Sequence, residues 1–420
     1  MTQPTCDITP GIDLGKNRRA MITAAIVALV AILVGNLLPP VIIFGMKMIP
    51  QGKEYHTTMV AQEAIILDPT ATVPAGNGGA PTPEPHCLIP EEITASCYQA
   101  TGPSTSKRTT TTSTADKFME TNVDSLVQVS VKGVPVAEMA DHQRLNRDSA
   151  YPVADPVAKK TVSVPALGTG VRVAPHVQEG LQPFFPFAPE RRSYLYSDQL
   201  ISVPVSLDYV GTKDVEGIRT YEYSAETDPT NLFTAIATAT MENPNQEELA
   251  AIAERSVPEL FQMMLDVDAA TAERFNEFTK GPAQRYYSEE EMQYFGYLPD
   301  QQLTMVPFYH VKRSFFVEPK TGTVLDQSNY VHIYFAPSDL DAKTLADENM
   351  RNINRVMFEA DYRFDETTKA SQLDLARPKM LELRALQVFA WIAGVVAFIA
   401  IAVFVALLIC RRRAIAKAEA

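Results

Sequence analysis

Residue types that carry catalysis are present in this chain, but their spacing assembles no reactive constellation. The six histidines, His56, His86, His142, His176, His310 and His332, are scattered. None makes an HExxH pair or a Cys-His cluster at metal-ligand spacing. Only His310 and His332 fall in neighbouring expected strands, and we read them as structural histidines. There is no GxSxG elbow, no GxxxxGK[ST] phosphate loop and no GxGxxG following a strand. Acidic runs such as Glu289-Glu290-Glu291, and the pair Asp266 and Asp268, read as solvated surface. The basic pairs Lys107-Arg108 and Arg191-Arg192 could meet anionic head groups. We therefore expect no enzyme, no catalytic residues, no metal and no cofactor.

The aromatic residues form a more suggestive set: Phe184, Phe185, Phe187, Tyr194, Tyr196, Tyr209, Tyr221, Tyr223, Phe315 and Phe316. On a sheet closed by helices such rings fill a core. On a sheet left partly open they line an apolar cavity, the reading taken here. Phe315 and Phe316 must point to opposite faces of a strand, so only one of them can reach such a cavity.

Most of these rings sit in hairpins. Ser314 to Val317 and Thr323 to Leu325 are β-prone, and Glu318-Pro319-Lys320-Thr321-Gly322 between them has the chemistry of a turn. Glu318 and Lys320 read as surface residues of that turn. A second hairpin runs from Ser202 to Tyr223, turning over Asp214 to Gly217. Short strands are also expected over 123–136, with Gly133 at a turn, over 151–175, over Tyr330 to Phe335 and over Val356 to Phe364. Residues 68–116 are rich in Pro, Gly, Thr and Ser and read as a loop. Leu249, Ile252, Val257, Leu260, Phe261, Met264 and Leu265 recur at helical steps, so 245–281 reads as a helical insertion with Gly281 as its C-cap. Ala342 to Asn354 reads as helical. Thr367 to Leu383 reads as a helix bent at Pro378.

At the two ends the composition changes. Residues 20–46 and 385–410 are almost wholly apolar, and each exceeds the roughly 20 residues that cross a bilayer. The first is too long for the apolar region of a cleaved signal peptide. Pro39-Pro40 should kink or end it. Lys16, Arg18 and Arg19 precede the first span, and Arg411, Arg412, Arg413 and Lys417 follow the second, which favours cytoplasmic termini. The expected order is a tail (1–19), a span (20–46), an extracytoplasmic domain (47–384), a span (385–410) and a tail (411–420). The tails are net +4 within a chain of net charge −13, leaving the remainder near −17. That excludes a basic nucleic-acid footprint. Cys87 and Cys97 are the cysteines of the outer domain, where an oxidising compartment permits a disulfide; two free thiols are the alternative. The fold class is then α+β: a large β-rich domain, a curved and partly open antiparallel sheet or barrel with helices, between two transmembrane helices.

Three stretches carry a resemblance: FPFAPERRSYLYSD from Phe184, LDYVGTKDVEGIRTYEY from Leu207, and RSFFVEPKTGTVLDQ from Arg313. In order and spacing, and with the flanking spans, they resemble the actinobacterial porin PorA family over most of residues 120–410. The segment before Lys117 and the block 243–296 look like enlargements over typical members. The resemblance implies a cell-envelope protein of mycolic-acid bacteria, linked to lipoglycan assembly. Two apolar helices already cross the membrane, which argues against a strand-built channel. The leading expectation is a non-enzymatic envelope protein whose outer domain binds or transfers a lipid or glycolipid. Alternatives are a scaffold for a lipoglycan glycosyltransferase and a porin-like channel. Expected partners are membrane lipid or glycolipid, and envelope glycosyltransferases or transporters.

Overall fold

The computed structural model describes residues 14–68, 85–89, 92–165, 169–198, 200–201, 204–241, 246–253, 255, 259–260, 262 and 279–418. The chain separates into two units, Met1–Met48 with Arg377–Ala420, and Ile49–Ala376.

The first unit is helical. Helix α1 (Leu14–Lys47) runs unbroken through Pro39 and Pro40, where an end or kink was expected from sequence. Proline removes a backbone donor, but an apolar environment offers the helix no competing partner for its remaining bonds. The last helix, Glu366–Ala418, likewise continues through Pro378. Both are long and apolar enough to cross a membrane. A Cβ on Gly35 would lie 2.6 Å from that of Ala393, so the two helices approach each other at small residues. Leu37, Val41, Trp391 and Phe398 are exposed around them, a surface suited to hydrocarbon.

The second unit is built on strands β1 (Glu54–Leu67), β2 (Gln99–Thr114), β3 (Glu120–Val131), β4 (Val134–Asn146), β5 (Ala158–Val164), β6 (Thr169–His176), β7 (Tyr194–Ser197), β8 (Pro204–Val215), β9 (Ile218–Glu226), β10 (Thr230–Asn231), β11 (Lys280–Pro282), β12 (Gln302–Thr304), β13 (Val306–Val317), β14 (Val324–Ala336) and β15 (Val356–Phe364). One antiparallel sheet takes the order β6-β5-β4-β3-β2-β1-β15-β14-β13-β9-β8-β7, with β10 added to β13; β11 and β12 form a small separate ribbon. The shorter helices are α2 (Leu232–Thr240), α3 (Gln246–Ala253), α4 (Glu289–Phe295) and α5 (Asp339–Asp347), and the long C-terminal helix is α6.

Local chemistry sets these hairpins. Lys132 and Gly133 both take positive φ (50° and 79°), as do Glu216 and Gly217 (51° and 76°). Two such residues make the turn whose twist matches paired strands. The β13–β14 turn is tighter against its surroundings than expected. Gly322 has φ 72°, and a Cβ there would run into the carbonyl oxygen of Pro186. Glu318 is buried rather than on the surface: its carboxylate accepts from the backbone N–H groups of Lys320 (3.0 Å) and Thr321 (2.7 Å).

Several readings change. Within the stretch read as a loop, residues 99–114 form the long strand β2, whose β-branched threonines suit a pleated surface. Strand β1 had no sequence signal, yet it is central, pairing with both β2 and β15. Of the expected helical insertion 245–281, the described part contains α3. Gly281 is in β11, not at a helix cap. Val257, Phe261, Met264 and Leu265 lie outside the described residues, as do Asp266 and Asp268. Helix α5 ends at Asp347, short of the expected Asn354.

The sheet curls. Leu232, Phe233 and Ile236 of α2 pack in one cluster with Val171 of β6 and with Phe308, Tyr309 and Val311 of β13. Those strands are far apart in sheet order, so α2 spans the open side of a trough and one face of the sheet becomes its inside.

Candidate functional site

Alternation along each strand decides what enters the trough. On β3 the inward residues are Val123, Ser125, Val127, Val129 and Val131; on β4 they are Ala137, Met139, Asp141, Gln143 and Leu145. Cross-strand register joins them into rows: Val129 faces Ala137, Val127 faces Met139, and Ser125 faces Asp141. The same rows continue across β5, where Met139 faces Val162 and Asp141 faces Lys160. On β13 and β14, Tyr309 faces Ile333, Val311 faces Val331, Arg313 faces Asn329 and Phe315 faces Gln327. Three bands result.

The first band is an apolar cavity of about 440 Å³. Its walls include Ile66, Val127, Val129, Val131, Met139, Val162, Val171, Val331, Ile333 and Phe358, with Phe233 and Ile236 of α2 across the opening. The size suits a small-molecule site, and the lining is short and branched, so the walls do not meet. Lys132, Val134 and Pro135, at the tip of the β3–β4 hairpin, border it, while Tyr309, Arg313 and Asn329 mark where it turns polar.

The second band is a belt of buried charge. Arg313 donates to Asp198 Oδ2 at 2.5 Å and to the hydroxyls of Tyr309 (3.1 Å) and Tyr196 (3.4 Å). The Tyr309 hydroxyl in turn donates to Asp198 Oδ2 at 3.1 Å. The other Asp198 oxygen accepts from the backbone of Leu200 and Ile201, and Lys160 Nζ donates to the Asp198 carbonyl at 3.2 Å. Burial pushes the Asp198 carboxyl up, but Arg313, these backbone donors and Lys160 outweigh it and hold it below the usual range. Burial likewise raises Asp141 and lowers Lys160. Both Asp141 carboxylate oxygens are buried without a hydrogen-bond partner among the described residues.

The third band is aromatic, and its rings pack on one another. Phe185, Tyr194, Tyr196, Tyr223 and Phe315 are buried together with Leu181 and Leu207. Phe185 meets Phe315 at 5.6 Å and Tyr223 at 5.3 Å between ring centroids. Tyr196 meets Phe315 at 5.3 Å. Tyr209 and Tyr221 pack edge-on at the margin, and Phe184 lies against Tyr55. Phe187 is half-buried on the same loop. Phe316 is buried on the opposite face, under the Lys213 ammonium at 4.5 Å. None of these ten expected cavity residues lines the cavity. The loop 177–193 lays its rings onto the sheet and fills that end, and polar tips are matched: Tyr223 donates to the Glu190 carbonyl and Tyr194 accepts from the Glu190 N–H.

Other sequence candidates are placed as follows. Cys87 and Cys97 are joined in a disulfide. His86 lies 3.3 Å from the Cys87 sulfur, but both sulfurs are committed to the bond. His310 and His332 face each other in register. Burial lowers both, and His332, with the charges of His310, Arg351 and Arg355 adding to it, falls to about 3. Of the Lys107-Arg108 pair, alternation sends Lys107 outward and Arg108 into the trough. Arg191 and Arg192 stack on Tyr221 and Tyr194. The charged belt was missed, although it had a signal: Asp141, Lys160 and Arg313 each occupy the inward phase of a mostly apolar strand row.

The profile of the family described as Porin PorA matches residues 21–406. A protein described as Porin PorA from Corynebacterium resistens is 24% identical over 294 residues, 67% of this chain and 68% of the relative. Another of that description, from Corynebacterium amycolatum, is 23% identical over 269 residues, 63% of this chain and 62% of the relative. The match thus spans less than two thirds of the second relative's length. Running from the first apolar helix through the whole sheet and into the second, the family match establishes that the chain belongs to the Porin PorA family of membrane proteins.

Proposed function

We propose that the sheet unit is a lipid-binding domain that takes an acyl chain into its apolar cavity, outside the membrane in which α1 and α6 anchor it. One observation carries this reading: about 440 Å³ of space walled by valine, isoleucine and phenylalanine side chains. An apolar space of that size and lining suits a hydrocarbon chain, whose contacts with the walls are individually small and collectively large. The aromatic residues do not contribute to this site; the valine-rich rows of β3, β5 and β14 do. The basic residues flanking both spans support cytoplasmic termini. The protein serves envelope assembly by holding or passing a lipid. Native mass spectrometry of the full chain, extracted in mild detergent, tests this. A bound species of lipid mass is expected, and a protein that carries none and takes up none on incubation with its native lipids refutes it.

The relatives' printed name favours a second reading, a channel, over the first. The strands themselves argue against a strand-built pore. Outward positions such as Lys107, Asp124, Gln128 and Lys159 are exposed and polar, where a membrane barrel needs an apolar belt. Planar-bilayer recording with purified protein separates the two readings: reproducible unitary conductance supports the channel, and a silent bilayer with lipid-loaded protein supports the carrier.

A further inference from the structure

The charges of the belt do not cancel. Arg108, Lys160 and Arg313 face Asp141 and Asp198, three cations against two carboxylates, with His142 and His176 counted neutral. Register pairs Asp141 with Lys160 across β4 and β5. The short ion pair joins Asp198 to Arg313. Among the described residues the belt is therefore one negative charge short, and Arg108 shares Asp141 with Lys160.

Its position gives that surplus a use. Arg108 follows Ser106 on the inward phase of β2 and stands directly opposite Val127 of β3. Ser106 and Val127 both line the cavity. Arg108 keeps some accessible surface although its phase of the strand points into the trough. Burial disfavours its charged form, and the Arg313 charge adds to the penalty, with the Tyr196 hydroxyl and Asp141 as counterweights. A half-buried guanidinium that shares its counter-charge, beside an apolar space, is stabilised by an anion that arrives with its own apolar tail. Beside it, Asp141 is 7% exposed and both of its oxygens lack a hydrogen-bond partner among the described residues. They can accept hydroxyl hydrogens carried next to the anion.

We propose that the cavity takes an anionic amphiphile, head first, with a carboxylate or phosphate oxygen seated on Arg108 and its chain running back along Val127, Val129 and Val331. The proposal rests on the lipid-binding reading and adds the charge and direction of the ligand. Neutral lipids of equal chain length would leave the positive charge of the belt in excess. The aromatic band beyond the belt stops further entry, because its rings leave no room for a second chain.

The test uses the delipidated full chain in detergent and three probes of one chain length: oleic acid, oleyl phosphate and oleyl alcohol. Displacement of a fluorescent fatty alcohol reports affinity. Both anions should bind about tenfold or more tighter than the alcohol, the scale of one charge-assisted hydrogen bond. Arg108→Met should erase that preference, and Arg108→Lys should retain most of it. The ratio of oleyl phosphate to oleic acid tells which anion the site prefers. Equal binding of all three probes by the wild-type chain overturns the headgroup inference and leaves the lipid reading standing. Failure of all three to bind removes both. A preference that survives in Arg108→Met assigns the anion elsewhere and also overturns the proposal. If Arg108→Met does not fold, the wild-type ratio of anion to alcohol still decides.

Discussion

Along the inward phase of β13, Phe315 touches Phe185 and Tyr196 ring to ring, whereas Tyr309, six residues earlier, borders the cavity. Both residues lie on one strand of one curled sheet. The backbone is continuous between them, so the difference is made by side chains and by what covers them. At the ring end, the loop 177–193 delivers Leu181 and Phe185 into the trough. At the cavity end, α2 covers valines that are too short to reach it. A cavity here is a matter of residue size, and aromatic content alone does not reveal one.

The sharpest way to break that contrast is to remove a ring. Phe315→Ala should cost about 3–5 kcal/mol, because a close-packed ring leaves a cavity that its neighbours refill poorly. Urea unfolding of the solubilised chain, followed by the far-ultraviolet signal of the sheet, measures it. A loss below about 1 kcal/mol would mean that this end is not filled.

The boundary between the two ends is the charged belt, and Asp198→Asn should cost about 3 kcal/mol by leaving Arg313 buried without its counter-charge. A pH signature goes with it. The Asp198 carboxyl titrates lower in the folded chain than in the unfolded one. Its contribution is therefore complete above the unfolded carboxyl range, about pH 4, and is lost as pH falls through the lowered folded value. Melting temperatures across an acid series should drop for the wild type in that window and drop less for Asp198→Asn.

On the cavity side, the Cys87–Cys97 disulfide ties down a segment whose Ala95 packs in the same cluster as the cavity residue Leu67. The bridge closes a short loop, so Cys87→Ser with Cys97→Ser should lower stability by about 2–3 kcal/mol. Lipid retention should fall with it. If stability falls and retention does not, the segment is not part of the cavity wall.

How much of this was legible depended on which force dominated locally. Turns dictated by positive φ, at Gly133, Gly217 and Gly322, were readable because few residues satisfy that backbone. The apolar spans were readable because length alone selects them. Strand β2 was not, because Thr109 to Thr112 look like a polar linker until the inward half of each pair is buried against neighbours. The role of the aromatic residues was not legible for a related reason. Sequence shows which residues are large and apolar, but whether they fill a space or surround one depends on the loop that covers them. Arg108 was singled out for head-group contact, and only strand phase separates it from Lys107. Glu318 looked exposed because turn residues usually are, while its role in holding two backbone donors is a tertiary fact.

The smallest effect compares one substitution at the two ends. Val317→Ala removes two methyl-sized groups from a site that is 0% exposed beside the rings, and about 2–3 kcal/mol should be lost. Val162→Ala removes the same atoms from a cavity wall, where one side already lacks neighbours, so fewer contacts disappear and about 1 kcal/mol should be lost. The reverse change sharpens the point. Val129→Phe at the wall adds a ring to available space, and its stability cost should stay near about 1 kcal/mol, while bound lipid measured by mass spectrometry should fall at least tenfold. Equal costs for Val317→Ala and Val162→Ala would mean that the wall is as tightly packed as the ring end, and the contrast between the two ends would be lost.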